Sequence, residues 1–316
     1  MRTTSLDARI RQAEHRLATD AGVLVEEFSV PLPGTGGTVR VLAAGEGQPY
    51  LLLHGDTLSA AWWIPLMPYL PGRLVAVDLP GHGLSEAHEP LAGTLRSVAV
   101  DLVTTVLDTE RLEQAVLVGH CLGGAAALWT TLDAPRRVSR IVLISDAGPA
   151  LPGNRRDPPP RPSVQEADGP AAVHGPPEGY AAALARRLSE PALLHLPDLA
   201  EATYHSAQRQ LSGTAVRSMH RDRRSDPDLL INADDLRRID VPVRCLRGSD
   251  DADHPIEPVR EAIAAIPRAD MQFIAGGHAP WLASPAPVGT LIHAAIPAED
   301  RPRSSPRIPT STTRTI

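Results

Sequence analysis

The chain has 316 residues and a formal charge of -6, from 31 basic against 37 acidic side chains, which excludes a strongly basic nucleic-acid binder and gives no ground for an anionic membrane partner. Its two cysteines, Cys121 and Cys245, exclude a disulfide-dense secreted scaffold. No apolar run reads as a membrane span or a signal peptide, so a cytoplasmic protein with no nucleic-acid and no membrane partner is expected; the sequence sets no oligomeric state.

The first apolar groups, in residues 6–20, recur near helical spacing and predict an amphipathic helix within an N-terminal extension, 1–22. VLVEEFSVPL at 23–32 and TVRVLAA at 38–44 flank the Gly-rich PGTGG and predict a hairpin. PYLLLH at 49–54, RLVAVD at 73–78, QAVLVG at 114–119 and SRIVLIS at 139–145 are apolar without alternation. Such runs suit strands buried on both faces of a parallel sheet. Residues 94–110 and 122–133 supply the crossover helices, completing a first core segment, 23–146.

Composition then shifts. Residues 149–177 contain PGNRRDPPPRP and GPPEG, where Pro removes donors and restricts its predecessor, so neither helix nor sheet is expected there. Residues 178–220 read as helical, and 147–235 is therefore expected to be a Pro-rich loop followed by a helical cap. VPVRCLRG at 241–248 restarts the buried-strand pattern; a helix at 257–266, a strand at 270–275 and a helix near 285–296 complete a second core segment, 236–298. The tail, 299–316, has little apolar content and is expected to be disordered. An α/β fold results, with strands alternating with helices.

The central chemical signal is GHCLGG at 119–124, between a buried strand and a helix. A side chain there sits on a tight turn and projects above the sheet edge. The glycines allow close backbone approach, the helix N-terminus favours developing negative charge, and the Leu122 N–H can face an oxyanion. An isolated Cys is most often a small buried hydrophobe; the strand–turn–helix setting is what favours a nucleophile.

This segment resembles the α/β-hydrolase family, and four further segments agree in order. HGD at 54–56 is similar to the family's oxyanion loop, DLPGHGLS at 78–85 to its DxPGxGxS turn, GSDDADHP at 248–255 to the acid-bearing segment and GGHAPWLASP at 276–285 to the base-bearing loop. The resemblance covers about 24–296. It implies a mostly parallel eight-stranded sheet flanked by helices with an inserted cap, and a Cys121–His278–Asp251 triad. The Asp56 and Leu122 amides would form the oxyanion hole. Asp250 and Asp146 are alternative orienters, while Asp253 and His254 would tune or close their loop. Most members carry Ser where Cys121 stands, and both a natural Cys and a Ser-to-Cys exchange fit that departure.

The implied chemistry is attack of the Cys121 thiolate on an acyl carbonyl, a thioester intermediate, and release to water. A free Cys, with a pKa of about 8.5, needs less help from its base than Ser does. A hydrolase of an ester, thioester or lactone is the first reading. An acyltransferase or ester-forming cyclase through the same acyl-Cys is the second, and a noncatalytic ligand receptor on the same fold the third. No cofactor is required. GHCLGG lacks the Walker Lys and the dinucleotide spacing, and the spread of His54, Asp56, His82, His120, Asp251 and His278 does not form a metal motif.

The substrate expected is an apolar acyl-bearing small molecule, carrier-linked in one version. Trp62, Trp63, Trp129 and Trp281 and the neighbouring His120 are candidates for the acyl pocket, with Trp63 placed on a helix after the oxyanion loop. Ordinary core packing is the competing reading for each Trp. Arg186, Arg187, Arg221 and Arg223 in the cap are candidates for a carboxylate or phosphate group, against the plainer role of solvated helix residues.

Overall fold

The computed structural model describes residues 2–33, 37–86, 94–147, 150–151, 175–212, 229–252 and 255–294. Arg221, Arg223, Asp253, His254, most of the Pro-rich loop and the 299–316 tail lie outside the described residues. Eight strands form one sheet: β1 (Glu26–Leu32), β2 (Gly37–Ala44), β3 (Pro49–Leu53), β4 (Arg73–Val77), β5 (Ala115–His120), β6 (Val138–Ile144), β7 (Val243–Gly248) and β8 (Ala269–Ile274). Their spatial order is β1-β2-β4-β3-β5-β6-β7-β8. β1 and β2 form the antiparallel hairpin and β2 pairs antiparallel with β4; the remaining pairings are parallel.

The apolar runs become strands because both faces of the sheet are covered. Along β3, Leu51 and Leu53 face one core while Tyr50 and Leu52 face the other, the period-two alternation of a pleated strand. The first core is closed by α2 (Leu95–Thr109), α3 (Leu122–Asp133), the short α6 (Ala233–Arg237) and α7 (Ile256–Ala264). The second is closed by α1 (Arg2–Asp20), α4 (Pro177–Arg187), α5 (Pro197–Ser212) and α8 (Pro285–His293). Each fully buried Leu of β3 contributes about 1.5–3 kcal/mol.

Three local features depart from the sequence pattern. Pro177, inside the run expected to resist helix, starts α4; at the first helical position its fixed φ suits the helix and its missing N–H is not needed. Trp62 and Trp63 lie in a 3₁₀ turn, Ala60–Trp63, followed by a second at Met67–Tyr69, where an α-helix was expected. α6 is capped by Asn232, which accepts from Asp234 and Asp235 N–H while Asp235 returns the bond to the Asn232 N–H.

The strand order reverses at β3, with β4 on one side and β5 on the other. The loops leaving the carboxyl ends of β3 and β5 therefore face a common crevice, the usual place for a ligand in such a sheet. Asp78, just beyond β4, organises that crevice. Its Oδ1 accepts from Ala60 N–H at 2.7 Å and its Oδ2 from Leu84 N–H at 2.8 Å, and its Oδ2 lies 3.4 Å from Arg40 Nη1. Arg40 is also paired to Glu14 on α1, tying that helix into the same network.

Asp78→Ala leaves two backbone donors and a guanidinium facing a hole in the core. We expect a stability loss of about 3–5 kcal/mol, read as a lower urea midpoint, whereas a loss under about 1 kcal/mol would contradict this role for the carboxylate.

Candidate active site

Cys121 is the single residue between β5 and α3, with φ 49° and ψ -109°. Its N–H donates to Ile144 O at 3.4 Å and its carbonyl accepts from Ala125 N–H at 3.2 Å. A non-glycine residue in this region is strained, and only its surroundings hold it there. Two glycines permit the fit. A Cβ on Gly123 would lie 2.1 Å from Leu53 O, so the first turn of α3 rests directly on β3. A Cβ on Gly55 would lie 2.5 Å from His120 Nδ1 and 3.4 Å from Cys121 Cβ, which brings the HGD loop against the turn. Asp56 follows Gly55, and Leu122 is the first residue of α3, a position whose N–H has no partner within the helix.

His278 arrives from the loop after β8. Its Nδ1 donates to Asp251 Oδ2 at 3.1 Å, and the two side chains are 3% and 0% exposed. Its side chain also hydrogen-bonds Cys121, and with Nδ1 spent on Asp251 the nitrogen left for sulfur is Nε2. Burial pushes the imidazole pKa down, but the Asp251 charge and hydrogen bond, with Cys121, outweigh it and raise the value well above the ordinary one. The base loop is hung at several points: His278 N–H donates to Leu188 O at 2.8 Å, while His278 O accepts from Ser145 Oγ at 2.6 Å and His120 Nε2 at 2.9 Å. The structure thus brings together Cys121, His278 and Asp251; Asp250 is exposed, and its N–H is spent on Gly276 O at 2.9 Å.

Asp146 and Asp251 meet across a shared cation. Arg247 stands between them, its Nη1 3.6 Å from Asp146 Oδ2 and 3.7 Å from Asp251 Oδ2. Neither Arg247 nor Glu190 was singled out by the sequence patterns. β7 carries two arginines, Arg244 and Arg247, and nothing in the sequence pattern separates the one that pairs with Asp270 from the one behind the site.

The other three histidines of the crevice, His54, His82 and His120, make structural contacts. His54 Nδ1 donates to Gly55 O at 2.7 Å and its Nε2 accepts from Leu79 N–H at 2.9 Å; burial pushes its pKa down to about 4. His82 Nδ1 donates to Pro80 O at 3.0 Å and its Nε2 lies 3.5 Å from Asp56 Oδ1, so the Asp56 side chain turns toward the neighbouring loop. His120 is driven well below its ordinary pKa by burial and by the nearby His278 charge.

Trp62, Trp63 and Trp281 pack as one fully buried block. Trp281 stacks on Trp63 at 4.8 Å, meets the His120 ring edge-on at 5.0 Å and donates its indole N–H to Trp62 O at 2.7 Å. Trp62 Nε1 donates to Thr203 Oγ1 on α5 at 3.0 Å. Trp129 lies apart, in the core on the other face of the sheet, because two helical turns carry it away from Cys121. Arg186 is exposed and Arg187 half-buried on α4. Among the described residues no three His, Cys, Asp or Glu side chains converge as a metal centre requires, and no helix is long and apolar enough to cross a membrane.

Strand order and the strained turn put the protein in the class of doubly wound α/β proteins that work at the carboxyl ends of their strands. More narrowly, it belongs to the α/β hydrolase family, whose model matches residues 50–290. The chain is 40% identical over 114 residues to the 2-hydroxymuconate semialdehyde hydrolase of Pseudomonas sp. (strain CF600), a match covering 34% of this chain and 40% of that protein. It is 36% identical over 111 residues to the pimeloyl-[acyl-carrier protein] methyl ester esterase of Nitrosospira multiformis, covering 34% and 42%. These matches span about two fifths of the relatives' length. The solved carboxylesterase CesB from Bacillus subtilis shares the fold, with a TM-score of 0.68, 24% identity and coverage of 91% of this chain and 97% of that one.

Glu190, after α4, reaches the base loop from outside the sheet. Its Oε2 accepts from Gly277 N–H at 2.9 Å, while burial, against that bond and aided by Asp250, pushes its pKa up to about 7. A carboxyl raised on folding stabilises most below its unfolded value, and that stability is lost as pH rises through about 7. The urea midpoint of Glu190→Gln should therefore gain on that of the parent protein as pH climbs from 5 to 8. A pH-independent difference would contradict the buried, titrating carboxyl.

Proposed function

We propose that the protein is a hydrolase of a carboxylic ester, thioester or lactone, working through a Cys121–His278–Asp251 triad and a thioester acyl-enzyme. The observation that carries this reading is the sulfur of a strained turn hydrogen-bonded to an imidazole whose other nitrogen is 3.1 Å from a buried carboxylate. That is the geometry of an activated nucleophile, its base and the group that fixes the tautomer.

The reaction follows from the positions. The Cys121 proton passes to His278 Nε2, and the sulfur attacks the acyl carbonyl. The Asp56 and Leu122 N–H groups stabilise the oxyanion, aided by the N-terminus of α3. Collapse breaks the bond to the leaving group, which takes the proton from the imidazolium. Water, deprotonated by His278, then attacks the thioester carbonyl and the sulfur leaves. α4 and α5 act as a cap over this crevice; Trp62, Trp63 and Trp281, expected to line an acyl pocket, have no exposed surface and instead pack beneath it, against His120.

One observation favours acyl transfer as a second reading: the nucleophile is sulfur, and a thioester yields to alcohols, amines and thiols as well as to water. Product mass spectrometry with water alone and then with added acceptors separates the two, free acid marking hydrolysis and a condensed product marking transfer.

The test of the shared intermediate is intact-protein mass spectrometry during exposure to activated acyl esters. A transient acyl increment should appear on Cys121 and vanish in Cys121→Ala, with turnover falling about 10⁴-fold or more. Asp251→Asn should keep the adduct but lower turnover by about 10² to 10⁴-fold. Full turnover in Cys121→Ala would end the mechanism, and a panel giving neither adduct nor turnover would favour a ligand receptor.

A further inference from the structure

Behind the candidate triad the strand ends hold a buried pair, Asp146 and Arg247, that the reaction as written does not use. Asp146, Asp251, Arg247 and His278 are all shielded from solvent, with Asp146 and the Asp251 side chain at 0% exposure. Arg247 is fixed by two carbonyls, donating from Nη1 to Ser145 O at 3.3 Å and from Nη2 to Asp251 O at 3.1 Å. Its Nη1 is shared almost evenly between the two carboxylates, at 3.6 and 3.7 Å. Ser145, at φ 70°, joins the cluster to the base, since its hydroxyl holds His278 O. A strained residue at that point marks a segment whose placement the surroundings enforce.

Charge counting gives the arrangement its consequence. Two carboxylates and one guanidinium carry a net negative charge, and a buried cluster of this kind favours a further cation, here the His278 imidazolium. Were Asp146 absent, Arg247 would pair with Asp251 alone and cancel much of its pull on the imidazole. With Asp146 present, Arg247 is already neutralised. Among the described residues, the groups around His278 are Asp251 and Asp250 from the loop after β7, Arg247 from β7, Asp146 after β6, His120 from β5, Cys121 from the turn and Glu190 after α4. His120 is held neutral by its burial, Asp250 is exposed, and Glu190 is bonded to Gly277 N–H. That leaves Asp251, Arg247, Asp146 and Cys121 to set the proton on the base.

We propose that Asp146 is a positioning residue for the candidate reaction: by neutralising Arg247 it lets Asp251 act on His278 with its full charge, and so keeps the resting pair as Cys121 thiolate and His278 imidazolium. The proton balance is internal, the sulfur giving up the proton that the imidazole holds. This rests on the Cys–His pairing of the proposed function but not on any substrate.

The readout is the pH profile of Cys121 alkylation by iodoacetamide in the full chain, followed by peptide mass spectrometry. Cys245 is fully buried and does not compete. The parent protein should alkylate with a midpoint well below that of a free thiol, about 8.5. Asp146→Asn should move the midpoint upward by about one pH unit, the order expected for losing one charge in a buried site. Asp146→Asn with Arg247→Gln should return it toward the parent value, a rescue that a merely structural role does not give. Arg247→Gln alone should lower the midpoint, which keeps the test decisive if Asp146→Asn does not fold. An unmoved midpoint in Asp146→Asn, or no lowering in Arg247→Gln, overturns the proposal. His278→Gln separates the two readings. If it leaves the midpoint unchanged, the Cys–His pairing itself fails; if it shifts the midpoint while Asp146→Asn does not, only the role of Asp146 falls.

Discussion

The backbone of Cys121 is the constraint on which the rest of the site depends. At φ 49° the chain must leave β5 and enter α3 within one residue. Strain of this kind costs about 1–3 kcal/mol and persists only where packing enforces it. Here α3 is pressed so close to β3 that any side chain on Gly123 would strike Leu53 O. The helix cannot rotate away to relax the turn, so the sulfur stays above the sheet edge, beside the HGD loop, where the strand order reverses. One close approach thus fixes the nucleophile candidate, the start of the helix and the neighbouring loop together.

The base candidate is held by a different principle. Its loop is suspended from distant segments: Leu188 takes the His278 N–H, Ser145 and His120 take its carbonyl, and Asp251 takes its ring. None of these is a sequence neighbour. The Leu188 and Glu190 bonds also make the helical insertion between β6 and β7 part of the support of the base loop. α1 is coupled in turn, through Arg16 to Asp198 and Glu201 on α5 and through Glu14 to Arg40 and Asp78.

The sheet could be read from the sequence because its strands are continuous apolar runs whose pattern reports burial on both faces. β3, β4, β5 and β6 fall within one or two residues of those runs. Cys121, Asp251 and His278 each follow a strand in a glycine-marked loop, and their candidate roles came from the resemblance of those loops to the α/β-hydrolase family. What escaped is what depends on pairing across the fold. Arg247 and Asp146 are separated by 101 positions in sequence, and only the side-by-side pairing of β6 with β7 makes them neighbours. Glu190 looked like any helix-end acid until its carboxylate met Gly277. Trp129 fell near the site along the chain, yet the pitch of α3 carries it into the opposite core.

The four histidines of the crevice show how one environment sorts identical groups. His54, His82, His120 and His278 are all buried, and for His54, His120 and His278 burial disfavours the imidazolium. His54 spends both nitrogens on backbone, bonds that fix a neutral tautomer. His120 spends Nε2 on the His278 carbonyl and sits with its ring 4.6 Å from that of His278, so a charge on one opposes a charge on the other. Only His278 has a buried carboxylate on one nitrogen and a titratable sulfur on the other. Of His54, His120 and His278, only the one beside Cys121 is pushed toward holding the proton. The neutral His120 contributes by being neutral: a second cation at that distance would undo the bias that Asp251 creates.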